Sequence, residues 1–168
     1  MRKVFASMAV FACLFCADVA AQGQALPPAL SSTVVAQPLP KPFDATADAA
    51  AAVDQAFARA KANGKRVLID FGANWCGDCR ALAGMMQLKE FAALIKDRFE
   101  LVEVDVGKFD RNMALVQRLG LTKLRGIPTV QVWSPAGKLL NSATAEAWTD
   151  ARSADPQAVY AYFLALAK

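Results

Sequence analysis

Residues 67–71 read VLIDF, and after a short connection residues 75–79 read WCGDC. The first run is typical of a buried strand, and the second opens a segment whose apolar residues have helical spacing. The start of a helix offers unpaired backbone N–H groups and the positive end of the macrodipole, which both favour a thiolate. We therefore predict that Cys76 attacks a partner disulfide and that Cys79, one turn deeper, resolves the mixed disulfide.

Helices and strands alternate on both sides of this stretch. The segments with helical spacing are residues 47–62, 75–99 (with a possible break at 87–90), 110–120 and 156–166. The segments typical of strands are residues 66–71, 101–106, 129–133 and 138–141. Asp44 or Thr46, Asp110 and Asp155 are expected to cap helices. This order predicts an α/β fold, with one central mixed sheet and helices on both of its faces.

From residue 43 to the C-terminus the chain resembles the thioredoxin superfamily. The resemblance rests on VLIDF leading to WCGDC and on the later sequence GIPT at residues 126–129. It implies the thioredoxin fold, with Pro128 as a cis-proline that faces the cysteine pair. It also implies that Ile127 offers backbone groups to an incoming substrate strand.

The same resemblance gives expectations for two further residues. Asp70 matches a buried acid of the family, whose implied role is to take or relay the proton of Cys79. The alternative for Asp70 is a strand-end acid in water. Trp75 is expected to be a substrate-binding platform beside the cysteines, and simple core filling is the alternative.

Several positions depart from the pattern of the superfamily. Asp78 stands where thioredoxins usually have proline, and its charge should disfavour the thiolate, although the adjacent Arg80 opposes this effect. Gly84 replaces the proline that kinks the active-site helix, and Leu101 is the nearest counterpart of a lysine that often accompanies the buried acid. Residues 121–124 form a small insertion. The resemblance is therefore to exported thioredoxin-like proteins rather than to cytosolic thioredoxin.

The N-terminal residues predict export, most simply to a periplasm. Arg2 and Lys3 precede an apolar run at residues 4–17, and small residues at 19–21 suit a signal peptidase. The expected organisation is a signal peptide at 1–21, a flexible Pro/Ala-rich tether at 22–42 and a thioredoxin-like domain at 43–168. The alternative is an uncleaved N-terminal anchor, which the shortness of the apolar run disfavours.

The composition excludes several kinds of catalytic and metal-binding site. The chain has no histidine, which excludes His-dependent catalysis and His-ligated metals. Of the four cysteines, Cys13 and Cys16 lie in the predicted signal peptide, so the mature chain would keep only Cys76 and Cys79. A zinc knuckle needs more ligands than these two, a copper site lacks supporting ligands, and an inert disulfide across so short a loop stabilises little. We expect no metal and no cofactor. The net charge of +4 is not clustered, so nucleic acid is not an expected partner.

These features predict a monomeric thiol–disulfide oxidoreductase that acts on exported proteins with disulfides, with the reductase direction favoured. Strong oxidants of the superfamily typically carry His between the cysteines, where this chain has Gly77 and Asp78. A reductase in an oxidising compartment must be recharged, which predicts a membrane-bound electron donor. The alternative is a binding module that holds a client protein or a soft metal without turnover.

Overall fold

The structure, a computed structural model, describes residues 29–30 and 35–168. The predicted signal peptide at 1–21 lies outside these residues. The helices are α1 (Ala49–Asn63), α2 (Gly77–Met86), α3 (Lys89–Arg98), α4 (Met113–Arg118) and α5 (Pro156–Leu166). The strands are β1 (Arg66–Gly72), β2 (Phe99–Asp105) and β3 (Thr129–Trp133). Within the described ranges, no helix is long and apolar enough to cross a membrane.

The strands form one mixed sheet in the order β2-β1-β3. β1 is central, pairing in parallel with β2 and antiparallel with β3. A parallel pair needs a crossover connection, which α2 and α3 supply here. β1 is thus the central strand, and the cysteines follow its carboxyl end at the start of α2.

Both faces of the sheet are covered, as the sequence predicted. Successive side chains of a strand point to opposite faces. Accordingly, Val67, Ile69 and Phe71 pack with α1 and α4, whereas Leu68 packs with α2, α3 and α5. The α/β class and the mixed sheet are thus confirmed.

The prediction of a fourth strand at residues 138–141 is wrong. Leu139 forms only an isolated bridge with Trp133. The side chain of Asn141, rather than a fourth strand, forms hydrogen bonds with the edge of β3. Asn141 accepts from the Val132 N–H at 2.8 Å and donates its side-chain amide to the Val130 carbonyl at 2.8 Å. Because this amide takes the place of a paired backbone, the edge is satisfied without another strand.

The helix ends differ from the prediction in detail. Asp48, rather than Asp44 or Thr46, caps α1 by accepting from the Ala51 N–H at 3.0 Å. Helix α4 begins only after Asn112, and the Asp110 carboxylate instead accepts from the Lys108 N–H at 2.9 Å. These short polar side chains compete for neighbouring N–H groups, so the exact cap is set locally.

Other helix boundaries agree with the sequence. The predicted break near residues 87–90 separates α2 from α3. Asp155 caps α5, whose first residue is Pro156. Gly64 ends α1 with a φ of 76°, a left-handed conformation that glycine adopts without cost.

The part of the predicted tether that the structure describes lies on the domain. The Leu39 N–H donates to the Arg80 carbonyl at 3.0 Å, and the Arg80 side chain donates back to the Leu39 carbonyl at 2.8 Å. A Cβ atom on Gly84 would overlap the carbonyl oxygen of Gln37. Residues 37–39 therefore cross α2 closely, and Gly84 is the residue that leaves room for them.

Candidate active site

The two cysteines lie where the sheet meets α2. Cys76 is the N-cap residue of α2, and its sulfur accepts from the Cys79 N–H at 3.1 Å. The pair forms a disulfide with Cα atoms 5.3 Å apart, within the ordinary range for such bonds. Cys76 retains 5% of its surface exposed and Cys79 none. Both cysteines are therefore largely buried, and Cys76 is the one that keeps some contact with solvent.

The loop before β3 approaches the sulfur of Cys76. The Sγ atom of Cys76 lies 3.5 Å from the carbonyl oxygen of Ile127. The Ile127–Pro128 peptide bond is cis. Thr129 donates its hydroxyl to the Gly126 carbonyl at 2.7 Å, which closes the loop on itself. The structure therefore brings the WCGDC and GIPT motifs together at one edge.

Asp70 is a buried acid in β1. Its side chain is fully buried, and neither carboxylate oxygen has a hydrogen-bond partner among the described residues. Strand alternation places it on the Leu68 face of the sheet, which α2 covers. Burial first, and the charge of Glu103 second, raise the pKa of Asp70 well above its ordinary value. A strand-end acid in water does not describe this residue.

Trp75 lies outside the core. It is 58% exposed, and its indole N–H donates to the Gly107 carbonyl at 2.7 Å. Its ring meets the edge of Phe109 at a centroid distance of 6.3 Å. Phe109 has a φ of 63°, a conformation that bulky residues rarely adopt. Core filling is thus excluded for Trp75, and the two rings form an exposed aromatic surface next to Cys76.

Comparison with known proteins decides the family. The model of a family described as thioredoxin-like matches residues 48–135, which is more than half of the chain. The chain belongs to the thioredoxin-like family. The matched residues include both the cysteine pair and the loop at Ile127 and Pro128.

Individual relatives of this thioredoxin-like protein agree with that assignment. A solved structure of a disulphide isomerase from Xylella fastidiosa is 39% identical, with a TM-score of 0.72 over 76% of this chain and 98% of that chain. A thioredoxin from Griffithsia pacifica is 34% identical over 82 residues, or 48% of this chain and 68% of the relative. A protein disulfide-isomerase from Aspergillus oryzae is 36% identical over 76 residues, 45% of this chain but 13% of the relative.

In this thioredoxin-like protein, the residue that offsets the negative charge of Asp78 is not the one predicted from the sequence. The Arg152 backbone N–H and its side-chain Nε both donate to Asp78 Oδ1, each at 3.0 Å. Burial alone would raise the pKa of Asp78, but the hydrogen bonds and the charge of Arg152 outweigh it and lower that pKa. The expectation that Arg80 fills this role is corrected, because its Nε donates to the Leu39 carbonyl instead.

Arg152 is the site residue that the sequence did not reveal. It lies in a short 3-10 helix, Ala151–Ser153, just before α5. It is separated from Asp78 by 74 positions, and no motif links the two. Only the tertiary fold brings this cation to the cysteine pair.

Proposed function

We propose that this protein is a thiol–disulfide oxidoreductase that exchanges disulfides with exported proteins. The observation that carries the proposal is the asymmetry of the disulfide. Cys76 keeps 5% of its surface exposed, with its sulfur 3.5 Å from the Ile127 carbonyl oxygen, whereas Cys79 is fully buried. One sulfur is placed to meet a partner protein, and the other to act only after that meeting.

The reaction proceeds in two exchange steps. In the reduced protein the Cys76 thiolate attacks one sulfur of a substrate disulfide, forming a mixed disulfide and releasing a substrate thiolate. Cys79 then loses its proton to the Asp70 carboxylate, and its thiolate attacks Cys76. The substrate leaves with both sulfurs reduced, while the protein holds the Cys76–Cys79 disulfide.

The proton transfer is assigned to Asp70 because of where that acid lies. It is fully buried in β1, the strand that leads into the cysteine pair, and Cys79, in the first turn of α2, is fully buried as well. A carboxylate whose pKa is raised by burial is a stronger base than an ordinary aspartate, so it can accept the Cys79 proton and later return it. In the mechanism, Asp70 releases the proton once the disulfide has formed.

Substrate binding is assigned to the surface around Cys76. Ile127 and Pro128 lie in the loop next to the Cys76 sulfur, where backbone groups can pair with an extended substrate segment. Trp75, which directly precedes Cys76, adds an exposed aromatic surface. A partner sulfur that binds between these residues is brought to Cys76.

The reductase direction is the favoured one, with a membrane-bound protein supplying electrons in a periplasm. Gly77 and Asp78 separate the cysteines, so no histidine stabilises the thiolate from between them. On a scale with thioredoxin near about −270 mV and a strong oxidant near about −120 mV, we expect a potential toward the reducing end. Equilibration with dithiothreitol and glutathione buffers measures this potential.

Insulin reduction tests the activity. The purified protein with dithiothreitol should accelerate insulin precipitation well above dithiothreitol alone, and Cys76→Ser should remove the acceleration. A parent protein that binds unfolded clients without accelerating the reduction would be a binding module instead.

A further inference from the structure

Arg152 lies directly against the two residues between the cysteines. Its backbone N–H and its Nε converge on one oxygen of Asp78, each at 3.0 Å. A Cβ atom on Gly77 would lie 3.0 Å from the Arg152 Cδ and 3.1 Å from its Nε. The arginine stem thus covers Gly77, the residue that follows Cys76, and the lack of a side chain there leaves space for it.

The other arginines near the site form contacts with groups other than the segment between the cysteines. Arg80 donates to the Leu39 carbonyl at 2.8 Å. Arg125, near the loop before β3, pairs with Glu146 at 2.8 Å, and Arg111 faces Asp105 at 3.8 Å. Lys108 and Asp110 border Trp75 rather than the segment between the cysteines. Arg152 is therefore the cation that the described contacts join to that segment.

Asp78 needs such a partner because of its position in the first turn of α2. Its side chain is only 15% exposed, so water screens its charge incompletely. An unpaired carboxylate there would oppose a second negative charge on Cys76. Because Arg152 neutralises the charge of Asp78, the negative charge on Cys76 forms more easily.

We propose that Arg152 is a positioning residue that stabilises the Cys76 thiolate, by neutralising Asp78 and by holding a positive charge over Gly77. The biological use of this effect rests on the proposed function. The effect on the thiol is nevertheless a property of the reduced protein alone. A stabilised thiolate favours the dithiol form and shifts the pair toward oxidation of partners.

The expected effect of Arg152 on the Cys76 thiolate is modest, because the Arg152 side chain is 66% exposed and water weakens the attraction. We expect Arg152→Gln to lower the thiolate-to-thiol ratio of Cys76 about threefold at a fixed pH. Asp78→Asn should raise this ratio by a similar factor, and the double variant should lie close to the parent. The reduction equilibrium should move in the same order, with Arg152→Gln the most reducing.

Thiolate absorbance near 240 nm, followed against pH in the reduced protein, measures this ratio without any substrate. Arg118→Gln is the matched control, because it removes a surface pair with Asp54 on α1. Its titration should coincide with that of the parent. Equal titrations for Arg152→Gln, Asp78→Asn and this control would overturn the proposal.

The Arg152→Lys variant distinguishes an effect of the positive charge from an effect of the side-chain geometry. Lysine keeps the charge but loses the forked geometry, so its titration should fall between those of the parent and Arg152→Gln. A purely structural residue would change the melting temperature of both variants and leave both titrations alone, which would also refute the proposal. If the titrations shift as expected while insulin is not reduced, the proposed function fails and the role of Arg152 stands.

Discussion

Asp70 of β1 and Glu103 of β2 are register partners on adjacent parallel strands, so their side chains share one face of the sheet. Burial raises the pKa of Glu103 as well, and its charge adds to the burial that raises the pKa of Asp70. Two carboxyl groups side by side resist simultaneous ionisation. The neighbour therefore adds to the effect of burial in raising the proton affinity of the Asp70 carboxylate, the group assigned to accept the Cys79 proton.

Asp70→Asn should make the protein more stable at neutral and alkaline pH. Since the folded-state pKa of Asp70 lies above its unfolded value, the stability present below the unfolded pKa is lost as the pH rises through the folded pKa. Asparagine does not ionise, so the variant escapes this loss and should gain about 3 °C in melting temperature for each 1 kcal/mol recovered. Thermal melts across the pH range measure the difference, which should shrink in acid.

Asp70→Asn should also slow thiol exchange. Without the carboxylate, the buried Cys79 thiol has no assigned acceptor for its proton, so we expect a loss of about tenfold or more. Stopped-flow fluorescence of Trp75 can follow the reaction with a model disulfide. Glu103→Gln is the control and should have a smaller effect. Parent rates in Asp70→Asn throughout the neutral range would leave the acid without a catalytic role.

Cys79→Ser should trap partner proteins on Cys76. The variant can still form the mixed disulfide but has no second thiol to resolve it. Non-reducing gels of cell extracts should show adducts that reductant removes. Cys76→Ser should show none, because Cys79 is fully buried; adducts of equal yield in both variants would contradict the assigned order.

Gly84→Ala should destabilise the protein, although this exchange usually strengthens a helix by about 1 kcal/mol. The new methyl group would overlap the Gln37 carbonyl and displace residues 37–39 from α2. We expect a net loss of about 1–3 kcal/mol in the free energy of unfolding, measured with urea. A gain of stability would mean that residues 37–39 do not lie against the helix in solution.

Asn141→Ala should destabilise the protein by about 2–3 kcal/mol, because it leaves the buried Val132 N–H and Val130 carbonyl without partners. Asn63→Ala is the matched control, since Asn63 is exposed and its side-chain amide donates to the Glu100 carboxylate. The control should change the free energy of unfolding much less. Equal losses in both variants would show that Asn141 does not complete the edge of β3.

The sequence was informative where structure and chemistry depend on neighbouring residues. The cysteine pair, the strand with Asp70 and the loop at Ile127 and Pro128 are local patterns, and each lies at the site. The spacing of apolar residues also predicted which elements cover the sheet, because burial of a continuous face requires that spacing.

Features that depend on distant side chains could not be predicted in this way. Asn141 imitates a backbone partner with its amide, so a segment with strand composition ends after one bridge. Arg80 turns to Leu39 rather than to Asp78, since the N-terminal segment offers it a carbonyl group. Contacts of this kind are decided by packing and leave no periodic signal in the chain.

The pairing of Asp78 with Arg152 also sets an order of events during synthesis. The two residues are 74 positions apart, so at ordinary translation rates Arg152 is added roughly 4 to 15 s after Asp78. During that interval both cysteines already exist beside an uncompensated carboxylate. On the role proposed for Arg152, Cys76 gains the full stabilisation of its thiolate only when the segment that contains Arg152 has folded against α2.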